Sequence, residues 1–284
     1  MTTKILALVD GSTYATSVCH AAAWIAKSLG GGVDLLHILP DTHSKGSGDL
    51  SGALKLGART ALLEELVSLD AQRAKLAAAQ GHAILDDAKV LIEADGIAPI
   101  GLKLRHGDLI ETLTALQPEA RALVVGKRGE GSAGAFEHLG SNLERIIRSA
   151  TVPVFVAARE SRLITSVLIA YDGSASADRA VERMTQSPVF GGLAAVLAYV
   201  GADTPAIRHQ MEAAQARLIA AGLHVTIAVE TGEPDVTLQR KISAEGFDLL
   251  VMGAYGHSRI RNLIIGSTTT AMIRACKVPV LIYR

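Results

Sequence analysis

The chain has only two cysteines, no excess charge of either sign and no long apolar run, and each absence removes a class of protein. Cys19 and Cys276 fall one in each half, which gives neither a disulfide framework nor a metal-ligand cluster and suits a reducing cytoplasm. Lys plus Arg (28) equals Asp plus Glu (28), so no bulk positive charge holds a nucleic-acid backbone and any anion site is local. No stretch approaches the ~20 apolar residues of a membrane span, and the apolar part of MTTKILALVDGS is too short for the core of a secretory leader. The expectation is a cytoplasmic protein without nucleic-acid or membrane partners. The nine histidines are scattered with no HxxxH spacing, which argues against a metal site. No GxSxG elbow surrounds Ser12 or Ser174, so both read as helix N-caps and no catalytic residue is predicted.

Apolar material, by contrast, is ample: hydrophobic residues make up 49% of the chain and charged residues 20%, enough to bury a core. Domains of about 100–200 residues are usual, so 284 residues suit two. An internal repeat agrees. Lys4-Ile5-Leu6-Ala7-Leu8-Val9-Asp10-Gly11-Ser12 is answered by Ser166-Val167-Leu168-Ile169-Ala170-Tyr171-Asp172-Gly173-Ser174. Ala122–Gly126 is answered by Leu249–Gly253, Gly140-Ser141 by Gly266-Ser267, and Val152–Val156 by Val278–Ile282, all in the same order.

Within each copy short apolar runs alternate with longer amphipathic stretches, the pattern of βαβ units and a mainly parallel sheet covered on both faces. Strands are predicted near 4–9, 33–39, 100–105, 121–126 and 153–157, and near 165–171, 193–200, 223–229, 247–252 and 279–283. Helices are predicted near 13–29, 60–95, 108–116 and 141–149, and near 175–185, 204–221, 234–245 and 267–275. The fold class is α/β, as two tandem five-stranded, mainly parallel sheets flanked by helices, with domains 1–157 and 165–284 and a linker at 157–163. Residues 40–58, rich in Gly, Ser and polar side chains, have no counterpart in the second copy. They read as a tolerated surface insertion, with a lid or partner-binding loop as the other reading.

The chemistry concentrates in 253–268, GAYGHSRIRNLIIGST: GxxG, nine residues (257–265), then Gly266-Ser267, between a strand and a helix. Phosphates need backbone amides brought close without side-chain obstruction, and they gain from the amides and dipole of a helix N-terminus. His257, Arg259 and Arg261 add local positive charge to an otherwise neutral protein. The pattern is neither Walker A nor the dinucleotide GxGxxG. Taken alone the residues leave a second reading open, a glycine-rich turn whose helix is capped by Ser267.

Together with Asp-Gly-Ser after the first strand and the Val-Pro-Val last strand, this spacing resembles the universal stress protein family over essentially the whole chain. The resemblance implies that family's fold, which is adenine nucleotide alpha hydrolase-like. GxxG, nine residues, G(S/T) is the ATP motif of the family's nucleotide-binding branch, and the second half matches it completely. The binding set so implied is Ala170, Asp172, Val200, Gly253, Gly256, His257, Arg259, Gly266, Ser267 and Thr268. Asp172 would meet the ribose or adenine edge and Val200 the adenine face; on the residues alone Asp172 is equally a turn aspartate and Val200 core. The ligand would be ATP, ADP or AMP, with magnesium as a companion of the phosphates.

The first half departs from the motif, because ten residues (130–139) separate Gly129 from Gly140 and the insert carries Glu130 and Glu137. Each close charge repulsion there costs on the order of 1 kcal/mol. A first-half site would use Asp10, Ile38, Gly126, Gly129, Gly140 and Ser141, but a structural or partner-docking role is favoured.

The function expected is regulatory adenine-nucleotide binding in stress adaptation, with at most slow ATP hydrolysis. The alternative is a non-nucleotide scaffold or signalling module. An ATP pyrophosphatase is disfavoured for want of an SGGxDS loop. The resemblance further implies pairing through last strands, here Val154–Ala157 with Val280–Tyr283 as an internal pseudo-dimer, alongside homodimers of chains and protein partners.

Overall fold

The short apolar runs become strands and the amphipathic stretches become the helices that cover them. The computed structural model describes residues 4–39, 56–129, 141–255 and 265–284, with the backbone alone for 56–64 and 141. In chain order the first half runs β1 (Lys4–Leu8), α1 (Ala15–Leu29), β2 (Gly32–Leu39), α2 (Leu56–Ala94), β3 (Ile100–His106), α3 (Leu109–Leu116), β4 (Ala120–Gly126), α4 (Ser141–Ser149) and β5 (Val154–Ala157). The second runs β6 (Ser166–Ala170), α5 (Ala175–Thr185), β7 (Ala194–Val200), α6 (Pro205–Ala220), β8 (His224–Glu230), α7 (Pro234–Glu245), β9 (Leu249–Gly253), α8 (Ser267–Ala275) and β10 (Val280–Tyr283). Every strand boundary lies within two residues of its predicted position. The reading of 40–58 falls almost wholly outside the described residues.

The two five-stranded halves do not stay separate sheets. They join edge to edge in one ten-stranded sheet of order β3-β2-β1-β4-β5-β10-β9-β6-β7-β8. All neighbours are parallel except β5 and β10, which pair antiparallel through Val280↔Val156, Leu281↔Phe155 and Ile282↔Val154. This is the last-strand pairing that the family resemblance implies, and each strand covers the other's open edge.

Side-chain alternation sorts the core into two layers. Val167 and Ile169 of β6 share a layer with Ala177, Ala180 and Val181 of α5 and with Met211 of α6, while Leu35 of β2 shares that layer with Leu85 and Ile92 of α2. Leu168 of β6 and Leu250 and Met252 of β9 face the other way, with Leu238 of α7 and Met272 and Ile273 of α8. Because both faces are covered, central strands such as β4, β6, β9 and β10 are mostly apolar, whereas the edge strands β3 and β8 carry polar residues.

Two cations lock the halves across the seam. Lys127 Nζ donates to the carbonyl of Cys276, the C-cap of α8, at 2.9 Å. Arg284 Nη1 donates to the carbonyls of Arg148 (2.5 Å) and Ala150 (3.3 Å) at the end of α4. Helix ends leave carbonyls without intrahelical partners and carry partial negative charge, so each cation meets its complement. Burial depresses the Lys127 ammonium pKa, with Arg128 adding to the effect. Burial also pushes the thiols of Cys19 and Cys276 up to about 12, which keeps both protonated and unreactive.

Candidate functional site

The sheet changes direction between β6 and β9. From β6 the chain leaves through α5 on one face, and from β9 through α8 on the other, as their core layers show. Adjacent parallel strands whose connections diverge in this way open a crevice at their carboxyl ends, the usual ligand position of an open α/β sheet.

On the β6 side, Asp172 Oδ1 accepts a hydrogen bond from Ser174 N at 2.9 Å. Gly173, at φ +73°, makes the turn between them, a conformation that side chains rarely adopt. Ser174 then caps α5, its Oγ accepting from Ala177 N at 3.3 Å, as predicted for that serine. The turn-aspartate reading of Asp172 is therefore realised, and this bond occupies one of its two carboxylate oxygens. Just before it, Tyr171 donates its hydroxyl to Asp178 at 2.7 Å. Burial, then that bond and the charges of Asp178 and Asp172, hold the phenol well above its usual pKa.

On the β9 side, a Cβ at Gly253 would overlap the Ser176 side chain, so the glycine lets the start of α5 lie against the strand end. Ser176 Oγ donates to the carbonyl of Tyr255, and Ser174 Oγ does so at 3.3 Å. Beyond residues 256–264 the chain is held again by buried Ile265. Gly266 N donates to Ala254 O at 3.1 Å, and Thr269 Oγ1 to Gly253 O at 3.1 Å. Gly266, not Ser267, is the N-cap of α8, and no side chain caps that end. Ser267 and Thr268 are its first two residues. The N-cap glycine itself offers no side-chain oxygen to the first amides of α8, and helix N-terminal amides and dipole suit an anion.

Ala170 and Val200 are partly buried in the layer shared with α7 and α8. Ala170 pairs with Ala198, which puts Val200 two residues further along β7 toward the crevice. Asp172, Gly253, Gly266, Ser267 and Thr268 are likewise carried by the ends of the adjacent strands β6 and β9 or by the helix tied to β9. Gly256, His257, Arg259 and the neighbouring Arg261 lie outside the described residues.

In the first half, Asp10 Oδ1 accepts from Ser12 N at 3.1 Å. A Cβ on Gly129 would stand 3.0 Å from Asp10 Oδ2, so these two predicted residues lie together. Ile38 occupies β2 in the same core layer as Leu6. Gly126 ends β4, where a Cβ would press on Tyr14 Cβ at 2.8 Å. Ser12 is not the N-cap of α1. That position belongs to Tyr14, and Ser12 Oγ only accepts from Tyr14 N at 3.3 Å. Gly140, Glu130 and Glu137 lie outside the described residues, and of Ser141 only its place at the start of α4 is described.

Sequence reasoning missed Ser176, Thr269 and Lys127. Ser176 was legible from its repeat partner, since Tyr14 holds the same place relative to Asp10. Lys127 was not, because its acceptor lies 149 residues away. Among the described residues no group of three or more His, Cys, Asp or Glu side chains is placed to hold a metal ion, and no helix is long and apolar enough to cross a membrane.

Comparison with known proteins places this geometry in context. The model of the universal stress protein family matches residues 1–158 and 193–284. Universal stress protein Slr1230 of Synechocystis sp. is 36% identical over 286 residues, covering 99% of this chain and 99% of that protein. Universal stress protein Rv1996 of Mycobacterium tuberculosis is 26% identical over 237 residues, 72% of this chain and 73% of that protein. A crystal structure of a universal stress protein from Archaeoglobus fulgidus superposes with a TM-score of 0.72 at 22% identity, covering 99% of this chain and 98% of that one, and so shares the fold.

Proposed function

We propose, from the premise that this chain belongs to the universal stress protein family, that its second half binds an adenine nucleotide as a regulatory ligand. The observation that carries the proposal is the glycine-started N-terminus of α8 at Gly266, tied to the end of β9, the strand beside the one whose turn holds Asp172. A helix mouth of this kind stabilises phosphate through its amides and dipole, each contact worth about 0.3–1 kcal/mol when exposed and more when partly buried. Phosphates would rest on Gly253, Gly256, Gly266, Ser267 and Thr268 with His257 and Arg259 as counter-charges, and adenosine would rest on Ala170, Asp172 and Val200. The two halves differ in their motif spacing, so the site is assigned to the second half alone. No residue is assigned as a general base, and the role is binding rather than turnover.

Purified protein denatured in acid should release ATP, ADP or AMP at one nucleotide per chain, read by mass analysis of the supernatant. Protein that releases no nucleotide, and takes none up on incubation with ATP, would instead fit a scaffold that works through its surface.

A further inference from the structure

Away from the strand-end crevice, where the halves meet, lies an open cavity. Its volume is about 470 Å³, and it is lined by α1, the end of β5 and the segment that links β5 to β6. That size falls within the roughly 300–1,000 Å³ usual for small-molecule sites. Trp24 gives it an aromatic floor, and the buried Phe155 ring packs behind it, 6.2 Å away and tilted by 53°. Small residues, among them Ala21 and Ala158, leave the space in front of the Trp24 ring open. On the linker, Leu163 is 78% exposed, an apolar side chain at the mouth of an apolar hollow.

The charged groups around the rim are paired with one exception. His20 Nδ1 and Asp95 Oδ2 satisfy one another at 2.7 Å, and Arg162 pairs with Glu160 at 3.1 Å. Lys27, in the last turn of α1, has no ion-pair partner among the described residues. The Trp24 ring with a cation that has no acidic partner at its edge is complementary to a flat apolar body carrying one negative charge. It is a poor match for a polyphosphate, which would face Asp95 and Glu160 against a single spare cation.

We propose that this seam cavity is a binding site for a small aromatic carboxylate, its ring against Trp24 and its carboxylate at Lys27. The site is separate from the nucleotide crevice, since none of its lining residues belongs to the set around Asp172 and Gly266. A ligand there touches α1, β5 and the linker together, and so stabilises the joined halves.

Trp24 is the chain's single tryptophan, so its emission reports on this cavity alone. The full chain should be titrated with 4-nitrobenzoate, a carboxylate quencher, and with the neutral 4-nitrobenzamide. The carboxylate should quench Trp24 saturably in the millimolar range or tighter. The amide should bind about tenfold more weakly, as expected when one charge-assisted hydrogen bond is missing. Lys27→Met should abolish that difference, and Ala21→Phe, which fills the hollow, should abolish saturable quenching by both. Saturating ATP should leave the carboxylate curve unchanged. Quenching that rises linearly without saturation, equal affinity for acid and amide, or an undiminished preference in Lys27→Met would each overturn the proposal. Competition by ATP would overturn it too, by placing the probe in the nucleotide site. Should Ala21→Phe fail to fold, the acid and amide comparison on wild type and Lys27→Met decides.

Discussion

Gly266→Val is expected to weaken ATP binding by at least about 100-fold, whereas Gly140→Val leaves it unchanged. Gly266 has φ −55° and ψ 141°, which any residue can adopt, so valine does not strain the backbone. What changes is the helix mouth, where a branched side chain is added beside the first amides of α8. Removing two charge-assisted hydrogen bonds to phosphate, at about 1.5–3 kcal/mol each, accounts for a hundredfold weakening, which corresponds to about 2.7 kcal/mol. Asp172→Asn is the companion variant. It retains an oxygen for the bond from Ser174 N, so weaker binding would report a direct role of the carboxylate toward the ligand and not a broken turn. Calorimetric titration should show one tight class of site in the wild type, absent from Gly266→Val. Equal weakening by Gly140→Val would mean that the two halves bind alike, and that Glu130 and Glu137 do not deter phosphate.

The second large effect is on assembly. The β5–β10 pair rests on three register partners, flanked by the Lys127 and Arg284 locks. Cut apart, each half exposes a strand whose side chains are buried in the whole chain, Val154–Ala157 in one and Val280–Tyr283 in the other. Burying such side chains is worth roughly 1.5–3 kcal/mol each, and an open apolar edge is a template for pairing. The second half expressed from residue 160 onward should therefore sediment as a dimer, twice its chain mass, through β10 against a second β10. A soluble monomer would show that the seam does not drive association.

Much of this architecture was legible because its causes are local. Runs such as Leu249–Gly253 are too short and too apolar for anything but a strand covered on both faces, and the glycine that ends each marks the turn. The seam came from the family resemblance, and the repeat only located the two last strands, both reading Val-Pro-Val followed by apolar residues. Identical sequence did not guarantee identical structure, however. Asp-Gly-Ser begins both crevices, yet Ser174 caps α5 and Ser12 does not cap α1. The difference lies two residues beyond the serine, where Ser176 tucks against Gly253 and the bulkier Tyr14 meets Gly126 in the same place. The first helix accordingly starts at Ala15, two residues later in the repeat than Ala175. Interactions set by the meeting of the halves, such as Lys127 on Cys276 and the cavity beside Trp24, leave no local pattern, because their partners come together only once the sheet is closed.

The central claim is that the proposed site between β6 and β9 recognises its ligand chiefly by phosphate, because the N-terminus of α8 suits negative charge while Asp172 and Val200 offer adenosine few partners. Thermal unfolding of the intact chain with adenosine, AMP, ADP and ATP at matched concentration, with and without magnesium, tests it directly. A ligand at about 100 times its dissociation constant adds roughly 2.7 kcal/mol of stability, a shift that melting resolves. ATP and ADP should raise the transition well above its position with adenosine. Equal protection by adenosine would contradict the account and return the glycines of 253–266 to the role of ordinary turn residues.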